Sequence, residues 1–466
     1  MMQKTAQNKD AQLTEGRIGK TFLRLTIPMI FGIISMMLFN LIDTFYIGRL
    51  GTKELAAISF TFPVVFLLGS IAMGLGIGLS SVTSRAIGEG DHHKVQHLTT
   101  DGLILAVAIV AVLATMGILT IEPLFRLIGS SPETLPLIKE YMIIWYIGVI
   151  FVVVPMVGNN AIRATGDTKS PSIIMMIGAG INAILDPLLI FGIGFFPRLE
   201  MKGAALATVI ARATTLIASL WILGHREKML SFSKPHLRSM WRSWKQILYI
   251  GIPAAGTQML VPINAGIITR MISHYGKEAV AAFGVGSRIE PLALIVTMAI
   301  ASVFAPFIGQ NWGAQKYDRI QNGMRMSMRF VSFYQIVIAL ILFLAARPIA
   351  VLFNDNPMVI SVVVDFLWIF PLSYGFQSVF ILVTYALNAI NKPLLAAILT
   401  VLRLFGLFIP LAYLGSTLFE IKGLFMGCSL ANIGIGWIAY FVGKKTFSLT
   451  QTKTVYSASN LIENSE

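Results

Sequence analysis

Charge is scarce in this chain of 466 residues: 12% are Asp, Glu, Lys or Arg, against about 25% in a soluble domain. Too few polar groups remain to cover a soluble surface, so lipid has to cover most of it. Cysteine is nearly absent. The single one, Cys428, lies inside an apolar run, which excludes an intrachain disulfide and a C-x-x-C metal site and leaves a small packing residue. The six histidines are scattered, with His92 and His93 adjacent in a loop, so no metal-ligand spacing exists. There is no G-x-S-x-G elbow and no phosphate-binding loop, and neither an enzyme nor ATP hydrolysis is expected. The run Gly74-Leu-Gly76-Ile-Gly78 falls in an apolar helix and reads as close helix packing. No cleavable signal peptide is expected, because the first apolar run, from about Leu23, is too long and lacks a small-residue cleavage site.

What is present is hydrophobicity, at 56% of residues and a mean hydropathy of +0.76. Apolar stretches of roughly 20 residues mark transmembrane helices. They fall at about 21–46, 55–83, 98–120, 138–162, 171–194, 203–224, 246–270, 279–309, 326–346, 361–387, 394–415 and 423–443. The second and eighth are long and rich in glycine, so they are expected to tilt or bend. The net charge of +14 suggests nucleic acid until its distribution is examined. With the N-terminus inside, the inner segments hold 23 Lys and Arg and the outer loops 10. This bias is a topology signal that places both termini in the cytoplasm and requires an even helix count. The basic 225–245 segment, with Trp241 and Trp244, reads either as an amphipathic connection in the interface or as a solvated loop. The expected organisation is a cytoplasmic segment 1–20, a bundle 21–224, the linker 225–245, a second bundle 246–443, and a polar cytoplasmic tail 444–466.

The halves resemble each other. Ile27-Pro28, read as opening helix 1, answers Ile252-Pro253, read as opening helix 7, and Gly51-Thr-Lys-Glu-Leu-Ala-Ala answers Gly276-Lys-Glu-Ala-Val-Ala-Ala. Ile87-Gly88 answers Ile308-Gly309, and Glu200-Met-Lys-Gly203 answers Glu420-Ile-Lys-Gly423. The offsets are 225, 225, 221 and 220. Matches in one order predict a duplication. Six helices per repeat give two six-helix bundles related by a pseudo-twofold axis along the membrane normal, an all-α integral membrane fold with a central cleft suited to alternating access.

Three motifs stand at fixed places in this frame: Asn40-Leu-Ile-Asp43 with Gly48, Arg163-Ala-Thr-Gly166-Asp-Thr-Lys, and Gly309-Gln-Asn-Trp-Gly313-Ala. Through them the chain resembles the MATE family, the multidrug and toxic compound extrusion transporters, over nearly its whole length. The resemblance implies export of small organic cations in exchange for protons or sodium ions across the bacterial cytoplasmic (inner) membrane. The chain looks most like the DinF-type branch, in which residues matching Asp43, Asn182 and Asp186 form a cation-responsive cluster. The NorM-type branch instead has acidic residues in helices 7 and 10, where the nearest positions here hold Gln258 and Gln377. The family often has a tyrosine where this chain has Phe39.

The residues support this on their own terms. A carboxylate in hydrocarbon costs roughly 3 kcal/mol by insertion scales, and is tolerated where it faces a cleft, shares a proton or pairs with a cation. Asp43 lies in helix 1 and Asp186 in helix 5, with Asn182 four residues earlier on the same face. Plainer roles stay open: Asp186, before Pro187, as a partner for freed amides, and Asp43 as an interfacial residue near Gly48. Asn159, Asn160 and Thr208 are oxygen-bearing candidates for a hydrogen-bond network, or, for Thr208 with Asp43, Asn182 and Asp186, for sodium; each serves equally as packing glue. Arg288 and Glu290-Pro291 in helix 8 suggest a local ion pair or a second site. Arg212 and Arg403 snorkel or pair, and Asp365 is expected at the interface. Pro28 makes bending of helix 1 cheap. The 22 Met and 30 Phe suit flat lipophilic cations. No cofactor is expected beyond a coupling ion, H+ in preference to Na+, and a monomer is the expected state. The rivals are a flippase or exporter for a lipid-linked or other specific metabolite, and a channel.

Overall fold

The computed structural model describes residues 11–231 and 237–463. Every regular element among them is helical. In chain order they are α1 (Ile18–Gly48), α2 (Thr52–Glu89), α3 (His92–Ile128), α4 (Leu135–Ala164), α5 (Lys169–Phe191), α6 (Glu200–Trp221), α7 (Leu237–Ser273), α8 (Lys277–Ala293), α9 (Ile295–Gly313), α10 (Tyr317–Phe353), α11 (Pro357–Ile369), α12 (Tyr374–Ala389), α13 (Pro393–Val401) and α14 (Ile409–Glu463).

Several labels share a membrane span. α8 and α9 meet at Leu294, three residues after Pro291, which has no N–H to bond the Ser287 carbonyl. A 3-10 turn, Phe370–Ser373, joins α11 to α12 at Pro371. A π-helical turn, Leu402–Phe408, joins α13 to α14, and α14 itself breaks at Phe419 and Glu420. Counted this way there are twelve spans among the described residues. The helices outrun the apolar stretches at almost every end, because polar residues at the lipid interface continue a helix without entering hydrocarbon. The helix of the last span likewise runs on to Glu463, where the sequence suggested a departure at 444.

Two compact units emerge, one of Met1–Leu13 and Leu23–Gln258, the other of Thr14–Phe22 and Met259–Glu466. The division falls inside α1 and α7 and not in the 225–245 segment. Glycine explains the second crossing. A Cβ at Gly74 would overlap the Gly251 carbonyl, and one at Gly78 the Ile247 carbonyl, so α2 draws the first half of α7 into the first unit by backbone-to-backbone approach. The 225–245 segment also leans on this unit. Gln96 Nε2 donates to the Lys228 carbonyl at 2.9 Å, and Trp244 Nε1 to the Asp101 carbonyl at 2.9 Å, while Trp241 is exposed. Residues 232–236 of that segment lie outside the described residues.

The duplication is written in the backbone. Gly90 and Gln315 follow the second and eighth spans with φ of +77° and +56°, and Gly166 and Asn391 follow the fourth and tenth with +97° and +64°. Each pair stands 225 residues apart. Glu200 and Glu420 open the sixth and twelfth spans with φ of +49° and +52°. Two residues on, Lys202 pairs with Glu140 at 3.3 Å and Lys422 with Asp365 at 3.1 Å. One residue further, a Cβ at Gly203 would overlap the Leu189 carbonyl and one at Gly423 the Gly415 carbonyl. The Glu-x-Lys-Gly repeat is thus a helix hairpin: a left-handed turn, an ion pair to a third helix, and a glycine contact. Asp365 is buried and paired with Lys422.

Three expectations need correction. Ile308-Gly309 is not the counterpart of Ile87-Gly88; the helix runs on to Gly313, and the true register is about one turn later. The Gly309–Gly313 motif therefore closes the eighth span from within, with Gln310 and Asn311 buried. Pro28 and Pro253 do not open their helices; both lie inside them.

Candidate functional site

α1 and α5 run side by side in one direction within the first unit. The Thr168 hydroxyl donates to the Leu25 carbonyl at 2.8 Å, a Cβ at Gly32 would stand 3.2 Å from the Ser172 Cα, and the Tyr46 and Phe191 rings are 6.2 Å apart. This register carries Asp43 to the level of Asp186. The motif Arg163-Ala-Thr-Gly166-Asp-Thr-Lys builds the junction. Gly166 takes the left-handed turn, Asp167 Oδ1 accepts from the Ser170 N–H at 3.0 Å to start α5, and Thr168 reaches α1.

Asn182 and Asp186 are both fully buried, and Asn182 Nδ2 donates to Asp186 Oδ1 at 3.0 Å. Asp43 stands within electrostatic reach of Asp186, and Tyr141 within reach of both. Arg212, from α6, faces Asp43 electrostatically and lays its guanidinium over the Phe39 ring, 4.4 Å from the centroid. Four buried oxygens on these helices have no hydrogen-bond partner among the described residues: Asp43 Oδ1, Asn182 Oδ1, Asp186 Oδ2 and Thr208 Oγ1. The Arg212 Nε–H is likewise unpartnered there. Orphaned buried groups of this kind cost about 1–3 kcal/mol each unless something meets them. With both acids ionised and Arg212 charged, the cluster carries one uncompensated negative charge. One small cation balances it.

Other sequence candidates fall elsewhere. Asn160 is engaged in its own helix: its Nδ2 donates to the Met156 carbonyl at 2.8 Å and its Oδ1 accepts from Arg163 at 2.6 Å. Asn159 Oδ1 is buried and unpartnered among the described residues. Gln258, half-buried on α7, makes no hydrogen bond to either acidic group in the described residues. A wide-mouthed cavity of about 810 Å³ is lined by Leu41, Phe45, Tyr46, Arg49, Leu55 and Ala183 among others, directly beside Asp43 and Asn182 in sequence.

The second unit has its own polar chain. Gln377 Nε2 donates to Glu290 Oε1 at 2.9 Å, Asn432 Nδ2 approaches Gln377 Oε1 at 3.5 Å and Ser373 Oγ at 3.2 Å, and Arg403 Nε donates to Asn432 Oδ1 at 3.2 Å. Glu290 is thus held by Gln377 and not by Arg288, which is exposed and makes no ion pair among the described residues. The cause is helical geometry: residues two apart point to different sides.

Sequence reasoning missed the partnership of Arg212 with Asp43 and Phe39, although an arginine inside a span is itself a signal. It missed Tyr141 and Asn432, which resemble any other span residue until the helices are assembled.

Comparison with known proteins identifies the family. The MatE family profile matches twice, over residues 28–188 and 253–414, once in each half. The chain belongs to the MatE family of membrane transporters. It is 39% identical, over 93% of its length and 96% of the relative's, to a protein of Shewanella oneidensis named FAD transporter. It is 25% identical, over 98% and 99% of the two chains, to the multidrug export protein MepA of Staphylococcus haemolyticus. Among solved structures, the Vibrio cholerae MATE transporter VcmN in its bent form superposes with a TM-score of 0.89 at 31% identity, covering 92% of this chain and 97% of that one.

Proposed function

We propose that the chain is a cation-coupled antiporter that exports organic molecules across the bacterial cytoplasmic membrane by alternating access, with both termini inside. The carrying observation is the pair of acids, Asp186 fully buried and Asp43 half-buried with its Oδ1 enclosed, with a single guanidinium, Arg212, facing Asp43. A site short of one positive charge binds one cation, and in doing so changes from charged to neutral. Such a change alters which conformation hydrocarbon tolerates, which is what coupling requires. A proton suits the set better than sodium, because two carboxyls and an amide share one readily and Arg212 already occupies part of the shell. Sodium held by Asp43, Asn182, Asp186 and Thr208 is the other coupling. Lipophilic organic cations are the first cargo class, in keeping with the drug-exporting relatives. Flavin adenine dinucleotide is the second, favoured by the 39% identical Shewanella relative.

The test is transport by purified protein in liposomes under a proton or a sodium gradient imposed separately, with ethidium and flavin adenine dinucleotide as cargoes. Proton-driven movement lost in Asp43→Asn is the expected result. Movement driven by sodium alone overturns the ion assignment, and movement of neither cargo overturns both cargo classes.

A further inference from the structure

Arg403 commits only one N–H to the protein. Its Nε donates to Asn432 Oδ1 at 3.2 Å, and no other hydrogen bond or ion pair of its guanidinium occurs among the described residues. Arginine carries several further donors in a planar fork. The guanidinium carbon stands 5.1 Å from the Phe380 ring centroid and 5.9 Å from that of Phe408. The residue sits in the π-helical turn Leu402–Phe408, a rare form that concentrates at functional sites.

Its support is built with care for direction. From Arg403 through Asn432 and Gln377 to Glu290, every donor points toward the carboxylate. Reversing either amide would lose bonds on both sides. Asn432 is fully buried, and the buried Tyr374 hydroxyl, within electrostatic reach of Glu290, has no partner among the described residues. A structural ion pair closes the distance, as Lys422 and Asp365 do at 3.1 Å in the same unit. Here two amides keep cation and anion apart. The arrangement fixes the guanidinium beside the buried Phe380 and Phe408 rings and leaves its outer donors unclaimed.

We propose that Arg403 is the anchor of a second ligand site, which takes a small organic anion such as a phosphate monoester or a carboxylate. The forked donors take the anionic group, as guanidinium does bidentately. The buried Phe380 and Phe408 rings hold the guanidinium from the protein side. Glu290, acting through Gln377 and Asn432, positions the guanidinium and competes electrostatically with the ligand. This site is distinct from the Asp43 cluster, and its test reads binding without transport, so it stands or falls separately from the antiport reading.

The probe is 1-naphthyl phosphate, titrated calorimetrically into the full-length protein in nanodiscs of neutral lipid, with 1-naphthol as the uncharged control. The phosphate is expected to bind at least ~10-fold tighter than the naphthol. Arg403→Gln should weaken it by roughly 10–100-fold, the worth of a charge-assisted hydrogen bond. Arg403→Lys should recover only part, and Glu290→Gln should tighten binding several-fold by removing the competing charge. In the wild type, the probe should protect Arg403 from phenylglyoxal, read by peptide mapping, so that the outcome does not depend on variant folding. Equal binding of phosphate and naphthol, weaker binding in Glu290→Gln, or protection at Arg212 with none at Arg403 would each overturn the proposal.

Discussion

Asp186 and Asn182 meet at 3.0 Å with neither side chain exposed, so Asp186→Asn keeps shape and one hydrogen bond while removing a charge. The expected outcome is a folded protein with a melting temperature near that of the wild type and with gradient-driven transport reduced by at least ~10-fold, equivalent to ~1.4 kcal/mol of lost coupling. Phe39 shows how a departure from the family pattern is used. Its ring supports Arg212 at 4.4 Å, and a desolvated cation–π contact is worth about 2 kcal/mol. Phe39→Leu should therefore lower stability measurably by thermal denaturation, whereas Phe39→Tyr should not. On the surface, the Lys53 ammonium lies 2.9 Å from Glu133 and holds that carboxyl below the usual carboxylate range, chiefly by its hydrogen bond. A depressed carboxylate contributes at neutral pH and loses its contribution as pH falls through its folded value. Both groups are well exposed, so Glu133→Gln should leave the melting temperature unchanged at pH 7.

At the scale of elements, α1 is a single helix whose first turns belong to one unit and whose remainder belongs to the other. Lys316 and Arg319 hold its lead-in through the carbonyls of Thr14, Glu15 and Gly16 at 3.0, 2.6 and 2.7 Å, and Phe22 packs edge-on to Phe307 at 4.9 Å. Pro28 follows that crossing and leaves the Arg24 carbonyl without its helical donor. Pro28→Ala is expected to stiffen α1 and slow transport without loss of fold; unchanged efflux rates would remove bending at Pro28 from the account. The hairpin glycines make a sharper structural prediction. Gly203→Ala and Gly423→Ala each drive a methyl into a backbone carbonyl, which no side-chain rearrangement relieves. Each should cost about 1–3 kcal/mol as overpacking does, read as lowered melting temperature and yield. Gly180→Ala, with open space around the added atom, should be tolerated.

For the whole molecule, the asymmetry of basic residues predicts orientation. A cysteine at exposed His93 should be shielded from a membrane-impermeant maleimide in intact cells, and one at exposed Asp355 should react. The native Cys428 is fully buried and should stay silent, so the wild-type chain serves as its own background. Labelling at both introduced positions, or the reverse pattern, would contradict the inside placement of the termini.

Hydrophobic run length, the basic-residue bias and the ordered repeats were legible in the sequence, because the bilayer allows a chain only a few ways to satisfy its backbone. Those constraints determined an all-helical fold of twelve spans in duplicate, and the cost of an intramembrane carboxylate singled out Asp43 and Asp186. Helix register and pairing were decided only in three dimensions. Periodicity does not say that Gly313 rather than Gly309 ends its helix, that Glu290 takes Gln377 over Arg288, or that α7 is shared between units. The partnership of Arg212 with Phe39 and Asp43, and the chain from Arg403 to Glu290, join residues from separate spans. Such partners are chosen by which helix faces touch, and that is a property of the packed structure, not of any one span.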